Sequence, residues 1–213
     1  MKLLVVVFLA FYFPGAPIGA AIENSRFTNN FLLQKAVDWS DCILLAEQKE
    51  HRVAIVNIKT QAIVWEWKPS LSLSQEHAKW FSSMSDAKLV YDGNYILATA
   101  SGGGVALVRI SDKKTVFYTY VGGNTHSAEL LPDGNIVSAS STGNYLTVIK
   151  VDTVIAPDQV YKKNVTIDFG HNVVWDNKNQ LLWSAGRNKI HSYNYNFNQK
   201  NSSKLCFGVG YVK

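Results

Sequence analysis

Three segments of the chain repeat one pattern of apolar, polar and turn-forming positions. They begin at Ser85, His126 and His171, and their starts lie 41 and 45 residues apart with no gap in the aligned parts. In each segment an apolar strand leads into a tight polar turn, as at residues 92–94 and 132–135. Glycine supplies the positive φ that such turns need, and proline pre-sets the first corner. A repeat of this length is typical of one blade of a β-propeller.

The pattern continues beyond the turn. A second strand ends in small residues, a third is apolar and a fourth is rich in aromatic residues; in the first segment these are residues 95–101, 104–110 and 115–120. A weaker copy precedes the three segments, with strands predicted at residues 41–46, 52–58 and 62–67. We therefore predict an all-β fold, a β-propeller of about four blade-like units. The units are about residues 33–84, 85–125, 126–170 and 171–213.

Two points of architecture stay open at this stage. A β-sandwich also has short strands and frequent turns, although it does not predict a self-alignment at one period. A propeller must also close its ring, and the final residues, 207–213, contain no evident closing strand. The chain is therefore either a small ring or a fragment of a six- or seven-bladed propeller, and we favour the fragment.

The first residues have the composition of a secretory signal. An apolar run covers residues 3–13, prolines break it, and small residues precede a cleavage point near Ala20 or Ala21. The run is shorter than a membrane-spanning helix requires. We predict a signal peptide at residues 1–21 and a propeller domain at residues 22–213, and we expect a secreted protein with no membrane span after cleavage.

Two sequons agree with export and predict glycans at Asn164 and Asn201 if the host is a eukaryote. The two cysteines, Cys42 and Cys206, permit a disulfide in an oxidising compartment, but two free thiols are equally consistent with the sequence. The net charge of +5 comes from scattered lysines and arginines without a basic run. We therefore expect no nucleic-acid partner.

Residues 101–107, 126–135 and 171–176 make the repeats resemble an uncharacterised family of secreted propellers of the WD40-like or YVTN-like kind. The resemblance covers most of residues 40–195 and implies an architecture, but no activity. Residues 126–135, taken with 64–67, are also similar to arylsulfotransferase propellers, in which an axial histidine takes part in group transfer. Oligogalacturonate lyases share propeller histidines that hold a divalent metal. Neither of these two motif sets is complete here.

His126 and His171 are the strongest candidates for a site, with Ser85 at the equivalent position of the preceding unit. In a propeller this position lies at the start of the innermost strand, beside the central channel. Two imidazoles there can bind a divalent metal, act as acid and base, or hydrogen-bond a ligand. A catalytic zinc usually has three protein ligands, and Glu129 is a candidate third. The alternative is a structural role, in which both histidines form hydrogen bonds inside their blades.

Aromatic residues add two further candidates. Tryptophan faces stack well on sugar rings, and we predict Trp80 and Trp175 as neighbours of the site, although most propeller tryptophans pack between blades. The glycine-rich stretch 101–104 joins two predicted strands, so a hairpin explains it better than a phosphate loop. The sequence contains no Gly-x-Ser-x-Gly, His-Glu-x-x-His or Cys-x-x-Cys motif.

Three functions follow from these observations. The first is a secreted binding module with an axial site for a carbohydrate or protein ligand, formed by Ser85, His126 and His171. The second is a lyase or transferase that acts on a polysaccharide or an acidic small molecule, with His126 and His171 as base or metal ligands. The third is a truncated copy without activity. No cofactor is certain, and a divalent metal is the candidate.

Overall fold

The computed structural model describes residues 39–195 and the backbone of a last strand at 210–212. The chain separates into two units, Met1–Lys35 and Ala36–Lys213, and all of the described residues belong to the second. The signal peptide predicted at residues 1–21, the glycan at Asn201 and the thiol of Cys206 lie outside the described residues. No described helix is both long and apolar enough to cross a membrane.

The described residues are mostly strand. In chain order the strands are β1 (Cys42–Glu47), β2 (Arg52–Asn57), β3 (Ile63–Trp67), β4 (Met84–Val90), β5 (Tyr95–Ala100), β6 (Gly104–Arg109), β7 (Thr115–Tyr120), β8 (Thr125–Leu130), β9 (Ile136–Ser140), β10 (Tyr145–Ile149), β11 (Lys162–Thr166), β12 (Asn172–Asp176), β13 (Leu181–Ala185), β14 (Ile190–Asn194) and β15 (Gly210–Val212). Between β3 and β4 lie two single-turn helices, α1 (Pro69–Ser72) and α2 (Gln75–Ala78), and a 3-10 turn (Lys79–Phe81).

These strands form four antiparallel sheets, each from one continuous stretch of chain. The sheets are β1–β3, β4–β7, β8–β11 and β12–β15, and each strand pairs with its neighbour in sequence. This confirms the prediction of an all-β fold of blade-like repeats. The strands β1, β4, β8 and β12 are consecutive neighbours, so one edge of each sheet faces a common line. Among the described residues no closed ring of sheets is detected.

A separate hydrophobic core lies between each pair of consecutive sheets. The first joins Val53 and Trp67 to Phe81 and Ile96. The second packs Leu107 and its neighbours of the second sheet against the third sheet. The last packs β9 and β10 of the third sheet against β12, β13 and β14 of the fourth. A β-sandwich has one core between two sheets, whereas this face-to-face series of cores is the packing of propeller blades.

The strand β5 shows why the second strand of each repeat is apolar and ends in small residues. Every residue of β5 is buried, and its side chains alternate between two cores. Ile96 and Ala98 belong to the core shared with the first sheet, while Leu97 belongs to the core shared with the third. Both faces of this strand are therefore covered, which favours a continuous run of apolar and small residues over an alternation with exposed polar ones.

Two segments differ from the sequence prediction. Residues 210–212 form β15, which pairs with β14 as the fourth strand of the fourth sheet and had no evident signal in the sequence. That strand has three residues and begins with a glycine, so it carries almost no alternation to detect. The helical connection between β3 and β4 was not predicted either. Each of its helices has four residues, too few to show a helical period.

Candidate functional site

One end of the sheets collects the polar and aromatic groups of interest. We call it the entrance end: here the inner strands β4, β8 and β12 begin, at Met84, Thr125 and Asn172. Because the sheets are antiparallel, the end of β7 and the β5–β6, β9–β10 and β13–β14 connections lie at the same end. His126 near the start of β8 and His171 just before β12 therefore lie at the same end as these connections.

His126 and His171 are brought together at the entrance end. His126 is the second residue of β8, and His171 immediately precedes β12 in the next sheet. Their ring centroids lie 4.5 Å apart and the rings are tilted by 35°. His126 is half-buried and His171 is exposed. Their shared position in the repeat thus produces direct contact between two blades, and we call these two residues the histidine pair.

The environment of His126 favours its neutral imidazole. Burial lowers the pKa of His126 below its ordinary value, and the positive charge that His171 can carry lowers it further. Nδ1 of His171 lies 3.2 Å from the carbonyl oxygen of Phe169. A carbonyl only accepts hydrogen bonds, so we assign the proton of His171 to Nδ1, which donates it. In the neutral imidazole, Nε2 of His171 is then an acceptor.

Residues of the β11–β12 and β13–β14 connections lie beside the pair. Phe169 has a φ of 52° and its ring contacts His171 in a tilted arrangement, with ring centroids 4.7 Å apart. The guanidinium of Arg187 lies over the Phe169 ring, 4.6 Å from its centroid. Arg187 also pairs with the carboxylate of Asp168 at 3.3 Å, and its backbone N–H donates to the Asp168 carbonyl at 2.9 Å. Both charged side chains are exposed, so this end offers a cation and a carboxylate beside the imidazoles.

Ser85 occupies the equivalent position of the second sheet but is engaged inside the fold. Its hydroxyl donates to the carbonyl oxygen of Thr125 at 2.8 Å and lies 3.0 Å from the hydroxyl of Thr99. The first bond ties the start of β4 to the start of β8. Ser85 therefore joins two blades, and its hydroxyl is committed to bonds within the protein.

The two predicted tryptophan neighbours lie in different places. Trp80 is at the entrance end, where it stacks on His77 with centroids 4.0 Å apart. Trp175 lies near the opposite end of β12 from His171, packed against the core between the third and fourth sheets. Its ring meets Tyr195 edge to face at 6.3 Å. The structure thus brings Trp80, but not Trp175, to the end that carries the histidine pair.

Sequence reasoning missed a group of charges on the inner strands, which we call the charge network: Asp86, Lys88 and Glu129, with Ser127. The amine of Lys88 lies 2.7 Å from Glu129 and 3.7 Å from Asp86, and it donates to the carbonyl of Val173 at 2.9 Å. Ser127 donates to Asp86 at 2.7 Å. The network joins β4, β8 and β12. Its signal was present, because Lys88 and Glu129 occupy the same position of the repeat with opposite charges.

The charge network engages Glu129, which the sequence offered as a third metal ligand. Burial raises the pKa of the Glu129 carboxyl, and the amine of Lys88 opposes that effect. The Glu129 carboxylate thus forms its ion pair with Lys88. Among residues 39–195 no group of three His, Cys, Asp or Glu side chains is arranged to hold a metal ion. The histidine pair supplies two imidazole ligands, one fewer than the three protein ligands usual for a catalytic zinc.

The remaining histidines and the half-buried Cys42 lie apart from the pair. His51 accepts a hydrogen bond from the backbone of Ser83 at 3.2 Å, and His191 stacks near Tyr193 on β14. The predicted glycan site Asn164 is exposed on β11, the outermost strand of the third sheet, and its side-chain oxygen accepts from Thr147 at 2.9 Å.

Comparison with known proteins places most of the described region within one family. Residues 15–206 match a family of unknown function (DUF6528). No curated protein matches the chain. The match covers all four sheets up to β14 and includes the histidine pair and the charge network. The protein, whose fold is all-β with four blade-like sheets, therefore belongs to the DUF6528 family.

Proposed function

We propose that this protein is a propeller-like binding module that holds a carbohydrate ligand at the histidine pair. The observation that carries the proposal is the contact of His126 and His171, at 4.5 Å, contributed by consecutive sheets at one end of the molecule. In a propeller the loops at one end of the inner strands form a shared surface around the axis, and ligands bind where several blades contribute side chains.

The chemistry of the pair favours hydroxyl groups as its partners. In the neutral tautomer whose Nδ1 donates to the Phe169 carbonyl, Nε2 of His171 is an acceptor. A lowered pKa keeps His126 neutral near pH 7, so it offers one donor and one acceptor. Arg187 and Asp168 add an exposed donor group and an exposed acceptor group. Adjacent hydroxyls of a sugar ring both donate and accept, and they match such a mixed set better than a purely anionic ligand does.

The proposal is tested by calorimetric titration with uncharged hexasaccharides of glucose, mannose and N-acetylglucosamine. His171→Phe keeps an aromatic ring against His126 and Phe169 but removes Nε2, so we expect binding to weaken about tenfold. His51→Asn is the matched control, because Asn tolerates the φ of 48° at that position. Equal affinity of His171→Phe and His51→Asn would contradict a ligand site at the pair.

A metal-dependent lyase or transferase is the second candidate. One observation favours it: the His171 Nδ1 proton is held by a backbone carbonyl, which is the usual arrangement behind a metal-binding imidazole. Metal analysis of the purified protein separates the two functions. Stoichiometric Zn, Mn or Ca that disappears in the double variant His126→Ala/His171→Ala favours the enzyme. Unfolding of this variant together with absence of metal favours structural histidines.

We also propose that the protein is exported and, in a eukaryotic host, glycosylated, and that its blades are of the WD40-like or YVTN-like kind. The apolar run of residues 3–13 and the small residues before Ala21 support export. The exposure of Asn164 on an outermost strand supports a glycan there. N-terminal sequencing of the secreted protein tests cleavage after Ala20 or Ala21, and loss of one glycan mass in Asn164→Gln tests Asn164.

A further inference from the structure

A second group of aromatic side chains lies at the entrance end, formed by residues other than the histidine pair. We call it the aromatic platform: His77, Trp80, Tyr118 and Tyr120. His77 stacks on Trp80 with a 26° angle between the rings, and its Nδ1 lies 3.0 Å from the hydroxyl of Tyr118. The ring of Trp80 lies 6.1 Å from that of Tyr118 and 5.5 Å from that of Tyr120. Four rings therefore form one continuous surface.

The platform has a fixed base and an exposed top. Trp80 and Tyr118 are half-buried and pack against the core between the first and second sheets. Tyr120, the last residue of β7, is 44% exposed. The rings come from two places, β7 and the helical connection between β3 and β4, and a plain strand-to-strand connection would supply neither His77 nor Trp80. The connection thus carries the rings that a repeat unit alone does not contain.

The glycine-rich β5–β6 loop provides the space that these rings occupy. A Cβ at Gly103 would lie 2.6 Å from the ring of Tyr120, and Gly103 also has a φ of 100°. A Cβ at Gly102 would lie 2.7 Å from the carbonyl oxygen of Trp80. Both contacts are closer than a side chain permits, so glycine allows the 3-10 turn and the Tyr120 ring to lie directly against this loop.

The chemistry of the platform is that of a sugar-stacking surface. The C–H face of a pyranose packs on an aromatic ring, and its hydroxyls bond to polar groups at the ring edges. The hydroxyl of Tyr120, the imidazole of His77 and the exposed side chains of Lys79 and Ser82 supply such groups. Tyr120 is 44% exposed, so part of its ring is accessible to a ligand.

The platform and the histidine pair are close enough for one oligosaccharide. Tyr120 ends β7 and His126 is the second residue of β8, so six residue steps separate them. Even a fully extended chain of that length spans only about 20 Å. We propose that the aromatic platform stacks one pyranose ring of the same uncharged oligosaccharide that the histidine pair hydrogen-bonds, with Tyr120 as the contact ring. This inference rests on the proposed function of the pair.

The test is the hexasaccharide titration, now on variants of Tyr120. Tyr120→Ala removes the exposed ring, and we expect about tenfold weaker binding. Tyr120→Phe keeps the ring and should retain most of the affinity. Tyr161→Ala is the matched control, because Tyr161 is a tyrosine of similar exposure, 41%, that lies beside the outermost strand of the third sheet. Its affinity should equal that of the unchanged protein.

The outcomes separate the platform from the pair. If Tyr120→Ala binds like Tyr161→Ala while His171→Phe loses affinity, the platform proposal is wrong and the pair remains the site. If Tyr120→Ala loses affinity while His171→Phe does not, the platform is the sugar site and the function proposed for the pair is wrong. If no hexasaccharide binds the unchanged protein, both proposals are overturned.

Discussion

Two polar groups on the inner strands behave in opposite ways. In the charge network each charge has a partner: Lys88 contacts Glu129 and Asp86, and Ser127 donates to Asp86. In the histidine pair the rings contact each other, and no acidic side chain among residues 39–195 lies within ion-pair distance of either ring. The network is mostly buried, with 13–21% of each charged side chain exposed, whereas His171 is exposed.

This difference separates stabilising groups from binding groups. Buried charges that satisfy one another hold three strands together and leave nothing to offer a ligand. Imidazoles in contact at a surface keep free hydrogen-bonding atoms and repel each other when charged, so they gain from a ligand. Position in the repeat alone does not separate these roles, because Ser85 shares the position of the histidines but belongs with the internally bonded groups.

The largest expected effect is on the charge network. Lys88→Met leaves Asp86 and Glu129 partly buried without their counter-charge, and we expect a loss of about 3 kcal/mol in the free energy of unfolding. The measurement is urea-induced unfolding at pH 7. Lys59→Met is the control, because Lys59 and Asp41 form an exposed ion pair, and it should cost less than about 1 kcal/mol. Similar losses of unfolding free energy in the two variants would mean that the charge network stabilises the fold no more than an exposed ion pair does.

The next effect concerns Ser85. Ser85→Ala removes the hydrogen bond to Thr125 and leaves a carbonyl with one partner fewer, so unfolding should become easier by about 1–2 kcal/mol. Hexasaccharide affinity should not change. A loss of affinity without a loss of stability would instead move Ser85 into the ligand site, as its place in the repeat suggests.

Stability at mildly acidic pH reports on His126. Its folded pKa lies below the ordinary value of 6.5, so the unfolded chain binds more protons between those two values. The stability from neutral His126 is fully present above pH 6.5 and is lost as pH falls through the folded pKa. His126→Gln should therefore flatten this part of the stability profile, measured by urea midpoints at a series of pH values. An unchanged slope would place His126 in free solvent.

Glu129 should act in the opposite sense and over a different range. Its folded pKa lies above the ordinary value of 4.5, so the folded protein holds that proton more tightly. The corresponding stability is present below pH 4.5 and is lost as pH rises through the folded pKa. Glu129→Gln should remove this dependence in the same series of urea midpoints. A steeper loss toward acid in the unchanged protein than in Glu129→Gln would mean that the Lys88 pair outweighs burial.

Most of the fold could be predicted because its signals are local. The second strand of the first full repeat, predicted at residues 95–101, is β5 (Tyr95–Ala100), since small and apolar residues bounded by turns are enough to define it. The helical connection and β15 were missed because four-residue and three-residue elements carry no periodicity. Their positions depend on neighbouring sheets, which a local pattern does not encode.

The site could be predicted only where the repeat itself places it. The shared position of His126 and His171 was enough to predict their proximity. Asp168, Phe169 and Arg187 come from loops, and a non-glycine φ of 52° at Phe169 has no clear sequence signal. Trp175 shows that closeness in sequence does not guarantee closeness to the site. It lies only four residues from His171, but along an extended strand that distance leads to the other end of the blade.

The most direct test of the account is an NMR titration of the imidazole resonances, because the central claim is that His126 and His171 form one coupled site. We predict that His126 titrates below pH 6.5 in the unchanged protein. In His171→Asn its pKa should rise, since both the neighbouring charge and part of the burial are removed. Added hexasaccharide should shift the resonances of both rings together. A His126 that titrates at its ordinary pKa in both proteins, with no response to saccharide, would contradict the account.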